Sequence, residues 1–178
     1  MRIITGTARG RKIKEPSNAK IRPTTGLVKE AIFNIIQFDI EGRRVLDLFA
    51  GTGQLGLETL SRGAASCDFV DQSKEAVMLV KENLKQTELL GGRVHQSEAL
   101  SFISRGEKYD LIFIDPPYDG VNIDKVIEKI VQVDILQKNG IMVCETDFDV
   151  AMPEGTEFYQ KGREYRYGKL KLTLYSRL

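Results

Sequence analysis

The sequence predicts an α/β fold: a doubly wound, mostly parallel sheet with helices on both faces. From residue 44 onward, short apolar runs typical of strands alternate with segments whose apolar residues recur at helical spacing. The run Tyr109–Ile114 is apolar on both faces, as a central parallel strand should be. Residues 158–178 alternate around Gly168, which predicts a C-terminal antiparallel hairpin.

The strands are predicted from apolar runs bounded by turn residues. In chain order they are Arg44–Leu48, Ser66–Val70, Arg93–Gln96, Tyr109–Ile114 and Gly140–Cys144, followed by the hairpin. Because parallel strands need crossover connections, each segment between them should carry a helix or a long loop.

Apolar spacing predicts a helix before the first strand and three more between strands. The first has one apolar face, with Thr24 or Thr25 as its cap. A loop at Gly51 turns into the second helix, which ends at Gly63, and Ser73 caps the third. The inward residues of the first, third and fourth helices are Val28, Ala31, Ile32, Ile35 and Ile36; Ala76, Val77, Val80 and Leu84; and Ile123, Val126, Ile127, Ile130 and Val131.

Composition excludes several classes of protein. The 178 residues are 42% hydrophobic and 29% charged, which excludes a mostly disordered chain. No apolar run approaches the ~20 residues that span a bilayer, and the N-terminus lacks the apolar core of a signal peptide. We therefore expect a cytoplasmic protein without a membrane partner. Cys67 and Cys144 lie in apolar runs as expected of buried free thiols, and His95 is the only histidine, so no metal site is expected.

Charge is divided unevenly along the chain. Residues 1–30 contain eight basic and two acidic residues, for +6, whereas the remainder contains 18 basic and 23 acidic residues, for −5. This asymmetry predicts a basic N-terminal extension, residues 1–26, that binds a polyanion, on a domain spanning residues 27–178. Part of the extension should form a short hairpin. The alternative is a solvated leader without a ligand.

A glycine loop follows the first predicted strand. Gly51, Gly53 and Gly56 have the spacing G-x-G-x-x-G, and Asp71 lies twenty residues after Gly51, at the end of the second strand. With a strand before it and a helix after it, this pattern predicts a nucleotide site in which Asp71 accepts hydrogen bonds from ribose hydroxyls. The alternative is a tight turn without a ligand.

Asp47 helps to choose the nucleotide. It ends the first strand, four residues before Gly51. A pyrophosphate there would meet a carboxylate of like charge, whereas the sulfonium and ammonium groups of S-adenosylmethionine would be attracted. Asp47 therefore favours S-adenosylmethionine over NAD. A structural role for Asp47, accepting backbone N–H bonds in the loop, is compatible with this.

A second motif, Asp115-Pro116-Pro117-Tyr118, ends the fourth strand. The amine of a nucleobase is a poor nucleophile because its lone pair is delocalised into the ring. The Asp115 carboxylate and the Pro116 carbonyl can accept its N–H bonds, orient the lone pair and stabilise the charge that develops on nitrogen. The prolines fix the backbone, and Tyr118 offers a ring on which a base can stack. The alternative is a rigid turn with an incidental Asp.

Several segments carry a family resemblance. DLFAGTGQLG, FVDQS and IFIDPPY resemble the motifs of class I S-adenosylmethionine-dependent amino-methyltransferases. With MRIITGTARGRKIK, RPTTGLVKEAIFNII and LSRGA, the whole chain resembles the RsmD-type enzymes, which methylate guanine N2 in 16S ribosomal RNA. The resemblance implies a seven-stranded sheet, S-adenosylmethionine as cofactor, and 16S rRNA in the small ribosomal subunit as partner.

The resemblance also implies roles for individual residues. Cofactor binding is assigned to Asp47, Phe49, Ala50, Gly51, Thr52, Gly53, Asp71, Gln72, Glu98, Ala99 and Asp115, with Glu98 standing where the family more often has Asp reaching adenine N6. Binding of the target base and its amine is assigned to Asp115, Pro116, Pro117 and Tyr118. Arg22, Thr24 and Thr25 lie in a block expected to face RNA or to close over the cofactor. The basic extension fits this picture, and its candidate phosphate contacts are Arg2, Arg9, Arg11, Lys12 and Lys14.

Methylation of guanine N2 in 16S rRNA is the leading hypothesis. One alternative is a DNA adenine-N6 methyltransferase, because DNA enzymes share the DPPY motif, although they usually need an added recognition segment for which little chain remains. Another is an RNA-binding assembly factor that keeps the fold without activity. An NAD-dependent oxidoreductase ranks last, and a monomer is expected.

Overall fold

The computed structural model describes residues 1–16, 26–117 and 121–178. The strands in this part of the chain are β1 (Arg44–Asp47), β2 (Ser66–Asp71), β3 (Gly92–Gln96), β4 (Tyr109–Ile114), β5 (Leu136–Asp147), β6 (Tyr159–Tyr167) and β7 (Leu170–Arg177). The helices are α1 (Gly26–Ile35), α2 (Gln54–Ser61), α3 (Lys74–Thr87), α4 (Ala99–Ile103) and α5 (Ile123–Val133).

All seven strands form one sheet, in the order β3-β2-β1-β4-β5-β7-β6. The pairs from β3 through β5 are parallel, and β7 pairs antiparallel with both β5 and β6. The predicted doubly wound sheet with a C-terminal antiparallel hairpin is therefore confirmed. The strand order runs outward from β1 to β3 on one side and from β4 onward on the other, so the order reverses between β1 and β4. The carboxyl ends of these two strands therefore border the crevice where such sheets bind ligands.

Apolar side chains cover both faces of the sheet. On one face, α1, α2, α3 and the N-terminal residues pack over Val45, Leu111 and Phe113. On the other, α4 and α5 pack over Leu46 and Ile112. Neighbouring strand residues thus face opposite layers, as the pleat requires. Both cysteines are buried free thiols, as the sequence predicted.

Two elements differ from the sequence prediction. β5 runs from Leu136 to Asp147 rather than over residues 140–144, because Tyr109 pairs with Leu136 before a register shift that precedes the pair Leu111 and Ile141. The exposed polar residues between Leu136 and Gly140 conceal this pairing in the sequence. The helix α4 was not predicted, since five residues are too few to show helical periodicity.

The N-terminal residues form the predicted short hairpin. Arg2 and Lys12 make an antiparallel bridge, and Ile3, Ala8 and Ile13 are buried against the α1 and α2 layer. The hairpin therefore packs into the domain core. The boundary at residue 26 stays a prediction, and the proposed caps Thr24 and Thr25 lie outside the described residues. Among the helices that the structure describes, none is long and apolar enough to cross a membrane.

Candidate active site

Three carboxylates lie at one edge of the sheet. In the register of the parallel strands, Asp47 of β1 pairs with Phe69 of β2 and with Phe113 of β4. Asp71 and Asp115 each follow their paired Phe by two residues. The three acids therefore lie together beyond the carboxyl ends of neighbouring strands, as the sequence predicted from strand ends alone.

The glycine loop is built from two different physical requirements. Gly51 and Gly53 have φ values of 53° and 78°, in the left-handed region that residues other than glycine rarely adopt. Gly53 is also the N-cap residue of α2. Gly56 serves packing instead, because a Cβ there would lie 2.3 Å from the Phe69 ring and 2.6 Å from Cys67 Sγ. The loop thus turns tightly while α2 packs close against β2.

Asp47 is buried beneath this loop. Its side chain is 2% exposed, and its Oδ2 accepts a hydrogen bond from the Gly56 N–H at 3.0 Å. Burial, together with the negative charges of Asp115 and Asp71, raises the pKa of Asp47 to about 7 despite the opposing effect of the Gly56 hydrogen bond. A cation bound at this edge would favour the ionised form of Asp47.

Asp71 holds the loop from the neighbouring strand. Its Oδ2 accepts a hydrogen bond from the Gly51 N–H at 3.0 Å, and its Oδ1 accepts one from the Ser73 N–H at 2.8 Å. Ser73 in turn caps α3, as predicted. Each carboxylate oxygen can accept a second hydrogen bond. Asp71 can therefore position the loop and still bind ribose hydroxyls, although the ribose contact itself stays a prediction.

The other loop positions lie around this carboxylate group. The N–H of Ala50 donates to the Val70 carbonyl at 2.9 Å, which ties the loop to β2. Thr52 is 3% exposed, and Phe49 is half-buried against the α4 and α5 layer. Gln72 is exposed beside Asp71. The structure thus places these predicted cofactor residues in or beside one loop.

Glu98 has a structural role that the sequence did not indicate. Its carboxylate caps α4, accepting hydrogen bonds from the N–H groups of Leu100 at 3.1 Å and Ser101 at 2.9 Å. Burial disfavours its charge, but these hydrogen bonds outweigh that effect and hold the pKa of Glu98 below its ordinary value. Ala99, the first residue of α4, is buried. A contact from Glu98 to adenine stays a prediction.

The second motif begins where β4 ends. Asp115 and Pro116 are half-buried, and Pro117 is exposed at the same edge. Asp115 lies near enough to Asp47 to raise the pKa of that group. The ring of Tyr118 falls outside the described residues, as do Arg22, Thr24 and Thr25. Their predicted roles stay predictions.

The five basic side chains predicted to contact phosphate are exposed, and some of them have partners in the domain. Arg11 forms an ion pair at 2.6 Å with Glu88, which caps the end of α3, and Lys14 forms one at 2.7 Å with Glu82 of α3. Arg2 donates a hydrogen bond to the Gly10 carbonyl at 2.7 Å. The side chains of Arg9 and Lys12 are also exposed. All five predicted phosphate contacts are thus accessible.

Asn83 is a positioning residue that the sequence analysis missed. It is fully buried on α3, and its Nδ2 donates to the carbonyls of Lys14 and Thr52 at 3.1 and 3.0 Å. Its Oδ1 accepts from the Lys14 N–H at 2.8 Å. Asn83 thus ties the basic extension to the glycine loop. The available signal was a polar residue three positions after Val80, on the inward face of the helix.

Glu58 on α2 joins the other end of the extension to the domain. Its fully buried carboxylate forms ion pairs with Lys29 and Arg62, both at 2.9 Å. It also accepts hydrogen bonds from the N–H groups of Ile4 and Thr5, at 2.8 and 2.9 Å. The helix that carries the glycine loop is therefore fixed to both the N-terminal hairpin and α1.

Comparison with known proteins places this architecture in a family. Residues 1–176 match the family model described as conserved hypothetical protein 95. A protein named "Putative rRNA methyltransferase YlbH" from Bacillus subtilis is 37% identical, with 99% of each chain covered. Ribosomal RNA small subunit methyltransferase D of Escherichia coli strain K12 is 32% identical, over 99% of this chain and 90% of that protein.

Solved structures agree with the fold. A structure titled "Putative methyltransferase yhhF from Escherichia coli" superposes with a TM-score of 0.89 at 30% identity, covering 99% of this chain and 97% of that one. A Thermus thermophilus 16S rRNA N2 G1207 methyltransferase, solved with AdoMet and guanosine, shares the fold with a TM-score of 0.69 at 21% identity, over 91% of this chain and 45% of that one. This chain therefore belongs to the RsmD family, whose model spans nearly all of its length.

Proposed function

We propose that this protein transfers a methyl group from S-adenosylmethionine to the N2 amine of a guanine in 16S rRNA of the small ribosomal subunit. The observation that carries the proposal is the group of three carboxylates, Asp47, Asp71 and Asp115, gathered around one glycine loop. Membership of a family with rRNA methyltransferases among its members supports the reaction class.

The residues at this edge fit the proposed cofactor. Three neighbouring acids, one with a pKa raised to about 7, favour a cationic ligand over a pyrophosphate. The turn through Gly51 and Gly53 brings backbone N–H groups close to the edge, and Asp71 keeps acceptor capacity for ribose hydroxyls. When bound here, S-adenosylmethionine supplies an electrophilic methyl group on a sulfonium.

Asp115 and Pro116 act on the substrate amine. The Asp115 carboxylate and the Pro116 carbonyl accept hydrogen bonds from the two N–H groups of the amine, which turns the nitrogen lone pair toward the methyl group. As the amine becomes positively charged, the carboxylate stabilises it. Because the proline rings fix φ at Pro116 and Pro117, the acceptors stay in place and little further conformational entropy is lost on binding.

An rRNA substrate is favoured over a DNA substrate by two observations. Two relatives that match nearly the whole chain are named as rRNA methyltransferases. The described domain is also taken up by the sheet, its covering helices and the two hairpins, so it contains no separate segment of the kind that reads a DNA sequence. The basic extension provides the phosphate contacts that RNA affinity requires.

Transfer of radiolabelled methyl groups to small ribosomal subunits tests the proposal. The subunits come from cells that lack the gene, and nuclease digestion identifies the modified base. We expect label in N2-methylguanine with the wild-type protein. Label in N6-methyladenine would keep the mechanism and overturn the substrate. Cofactor binding without label in subunits, free rRNA or DNA would favour the assembly-factor alternative.

A further inference from the structure

The turn of the C-terminal hairpin lies at the same edge of the sheet as the candidate active site. Ile114 of β4 pairs with Cys144 of β5, and three residues further along β5, Asp147 pairs with Leu170 of β7. From these pairings, the hairpin turn lies about 10 Å beyond the end of β4 along the strands and about 10 Å to its side. An RNA strand that presents a base to Asp115 would pass within reach of this turn.

Two cations at the turn have no carboxylate partner among the described residues. Arg166 and Lys169 are exposed, and neither forms an ion pair there. Three other basic residues of the same hairpin form ion pairs: Lys161 and Lys171 contact Glu164, and Arg177 contacts Asp134. The acids beside the turn, Asp147 and Asp149, form no ion pair with Arg166 or Lys169 in the described structure.

An aromatic ring accompanies these cations and holds one of them in place. The Arg166 guanidinium carbon lies 3.7 Å from the centre of the Phe148 ring, and its Nε donates to the Gly168 carbonyl at 3.1 Å. The Phe148 N–H donates to the Lys169 carbonyl at 2.8 Å, which joins the two loops. Phe148 nevertheless remains 42% exposed, so part of its ring is accessible to a ligand.

We infer that Phe148, Arg166 and Lys169 form a second RNA-binding surface, here called the turn surface, which holds single-stranded RNA beside the target base. Phosphates contact the two cations, and an unpaired base stacks on Phe148 and the guanidinium plane. The N-terminal extension lies over the α2 and α3 side of the sheet and the turn surface on the β5 side, so RNA is held on both sides of Asp115. The inference rests on the proposed function.

The salt dependence of RNA binding tests this inference. The double variant Arg166→Gln/Lys169→Gln removes two charges at the turn. The matched control, Arg105→Gln/Lys138→Gln, removes the same two charges from exposed residues near the opposite ends of the strands. Binding of wild-type and variant proteins to protein-free 16S rRNA is measured over a series of KCl concentrations, together with methyl transfer to small subunits and thermal unfolding.

The turn variant should bind 16S rRNA about tenfold more weakly, and the slope of log K against log salt should fall by about 1.4, since each phosphate contact contributes about 0.7 on a single strand. Its KM for subunits should rise while its affinity for S-adenosylmethionine and its unfolding temperature stay at wild-type values. Phe148→Ala should weaken binding without changing the slope, because stacking releases no counterions.

Wild-type salt dependence in the turn variant, or equal losses in the turn variant and the control, would overturn the inference. Absence of methyl transfer to rRNA by the wild-type protein would instead overturn the proposed function. The two failures are therefore distinguishable in the same set of measurements.

Discussion

Several carboxylates away from the candidate active site form ion pairs with protein cations, whereas buried Asp47 at the site accepts a hydrogen bond from a backbone N–H. Glu58 pairs with Lys29 and Arg62. The Asp68 carboxylate forms hydrogen bonds with Arg93, His95 and Tyr109. The Asp134 carboxylate forms hydrogen bonds with Arg177, Lys108 and Tyr159. Burial disfavours the charge of all three, yet their partners outweigh it and lower each pKa below its ordinary value.

The pKa shift is opposite at the candidate active site. Asp47 accepts a backbone hydrogen bond, and burial with two neighbouring acids raises its pKa to about 7. The neutralised carboxylates stabilise the fold, because each compensates a cation or a set of backbone donors. Ionised Asp47 destabilises the folded protein in the absence of a ligand. We attribute this cost to function: the edge has the charge that a cationic cofactor and a developing ammonium require.

Asp115→Asn should have the largest effect. The amide keeps the shape of the side chain but loses the negative charge that stabilises the amine, so the rate of methyl transfer should fall about 10²- to 10³-fold. Affinity for S-adenosylmethionine should fall by less than about tenfold. Single-turnover transfer and calorimetry measure the two effects separately.

Asp110→Asn is the matched control for that variant. Asp110 lies on the same strand at its opposite end, where its carboxylate accepts a hydrogen bond from the Arg44 N–H at 2.8 Å. Transfer by this variant should stay within about twofold of wild type, since surface changes distant from a site rarely alter it. Equal loss of activity in both variants would show that β4 is merely sensitive to substitution.

Glu58→Gln should destabilise the fold without a specific effect on the cofactor site. The change leaves the buried Lys29 ammonium without its carboxylate, and removing one partner of a buried pair costs about 3 to 5 kcal/mol. Lys29→Met should cost less, because Glu58 keeps Arg62 and two backbone N–H donors. Urea unfolding measures both. Wild-type stability of Glu58→Gln would contradict the structural role of this ion pair.

Asp47→Asn should change the pH dependence of stability. Because the folded pKa of Asp47, about 7, lies above its unfolded value, the folded state binds more protons between about pH 4 and pH 7. The wild-type protein therefore loses stability from this group as pH rises through that window, by an amount on the order of a few kcal/mol. The amide removes this loss and can still accept the Gly56 N–H.

Unfolding of the ligand-free proteins at a series of pH values measures this difference. Asp47→Asn should be more stable than wild type at about pH 8, and the advantage should shrink as pH falls and disappear below about pH 4. A constant difference between the two proteins across that range would mean that Asp47 does not titrate as the structure indicates.

Asp71→Asn should have a smaller effect, on cofactor affinity alone. The amide keeps one acceptor oxygen for either Gly51 or Ser73 but loses the second, together with the charge. The loss of one charge-assisted hydrogen bond to ribose corresponds to about tenfold weaker binding of S-adenosylmethionine. Calorimetry measures it, with Glu75→Gln in the first turn of α3 as a control that should bind normally.

The sequence predicted the fold class and the acids at the strand ends because both follow from local patterns. The end of each apolar run located Asp47, Asp71 and Asp115, and the glycine spacing located the loop. The electrostatic contrast could not be predicted, because it depends on contacts between distant residues. Glu58 meets Lys29 across 29 positions of the chain.

Local interpretation also missed how the extension is fixed. Asn83 contacts Lys14 and Thr52 only because α3 packs beside the N-terminal hairpin and the loop. The cap role of Glu98 depends on the short helix α4, which has too few residues to be recognised from spacing. Tertiary packing decides the Asn83 contacts, and no single segment of the sequence contains that information.

Calorimetric titration of S-adenosylmethionine at about pH 8 tests the central claim most directly, with wild type, Asp47→Asn and the control Asp134→Asn. The control removes one carboxylate from a cluster that is already neutralised by protein cations. We predict that Asp47→Asn binds the cofactor at least about tenfold more weakly, and that Asp134→Asn binds within about twofold of wild type. Wild-type affinity in Asp47→Asn would contradict the claim that the edge carboxylates are held for a cationic cofactor.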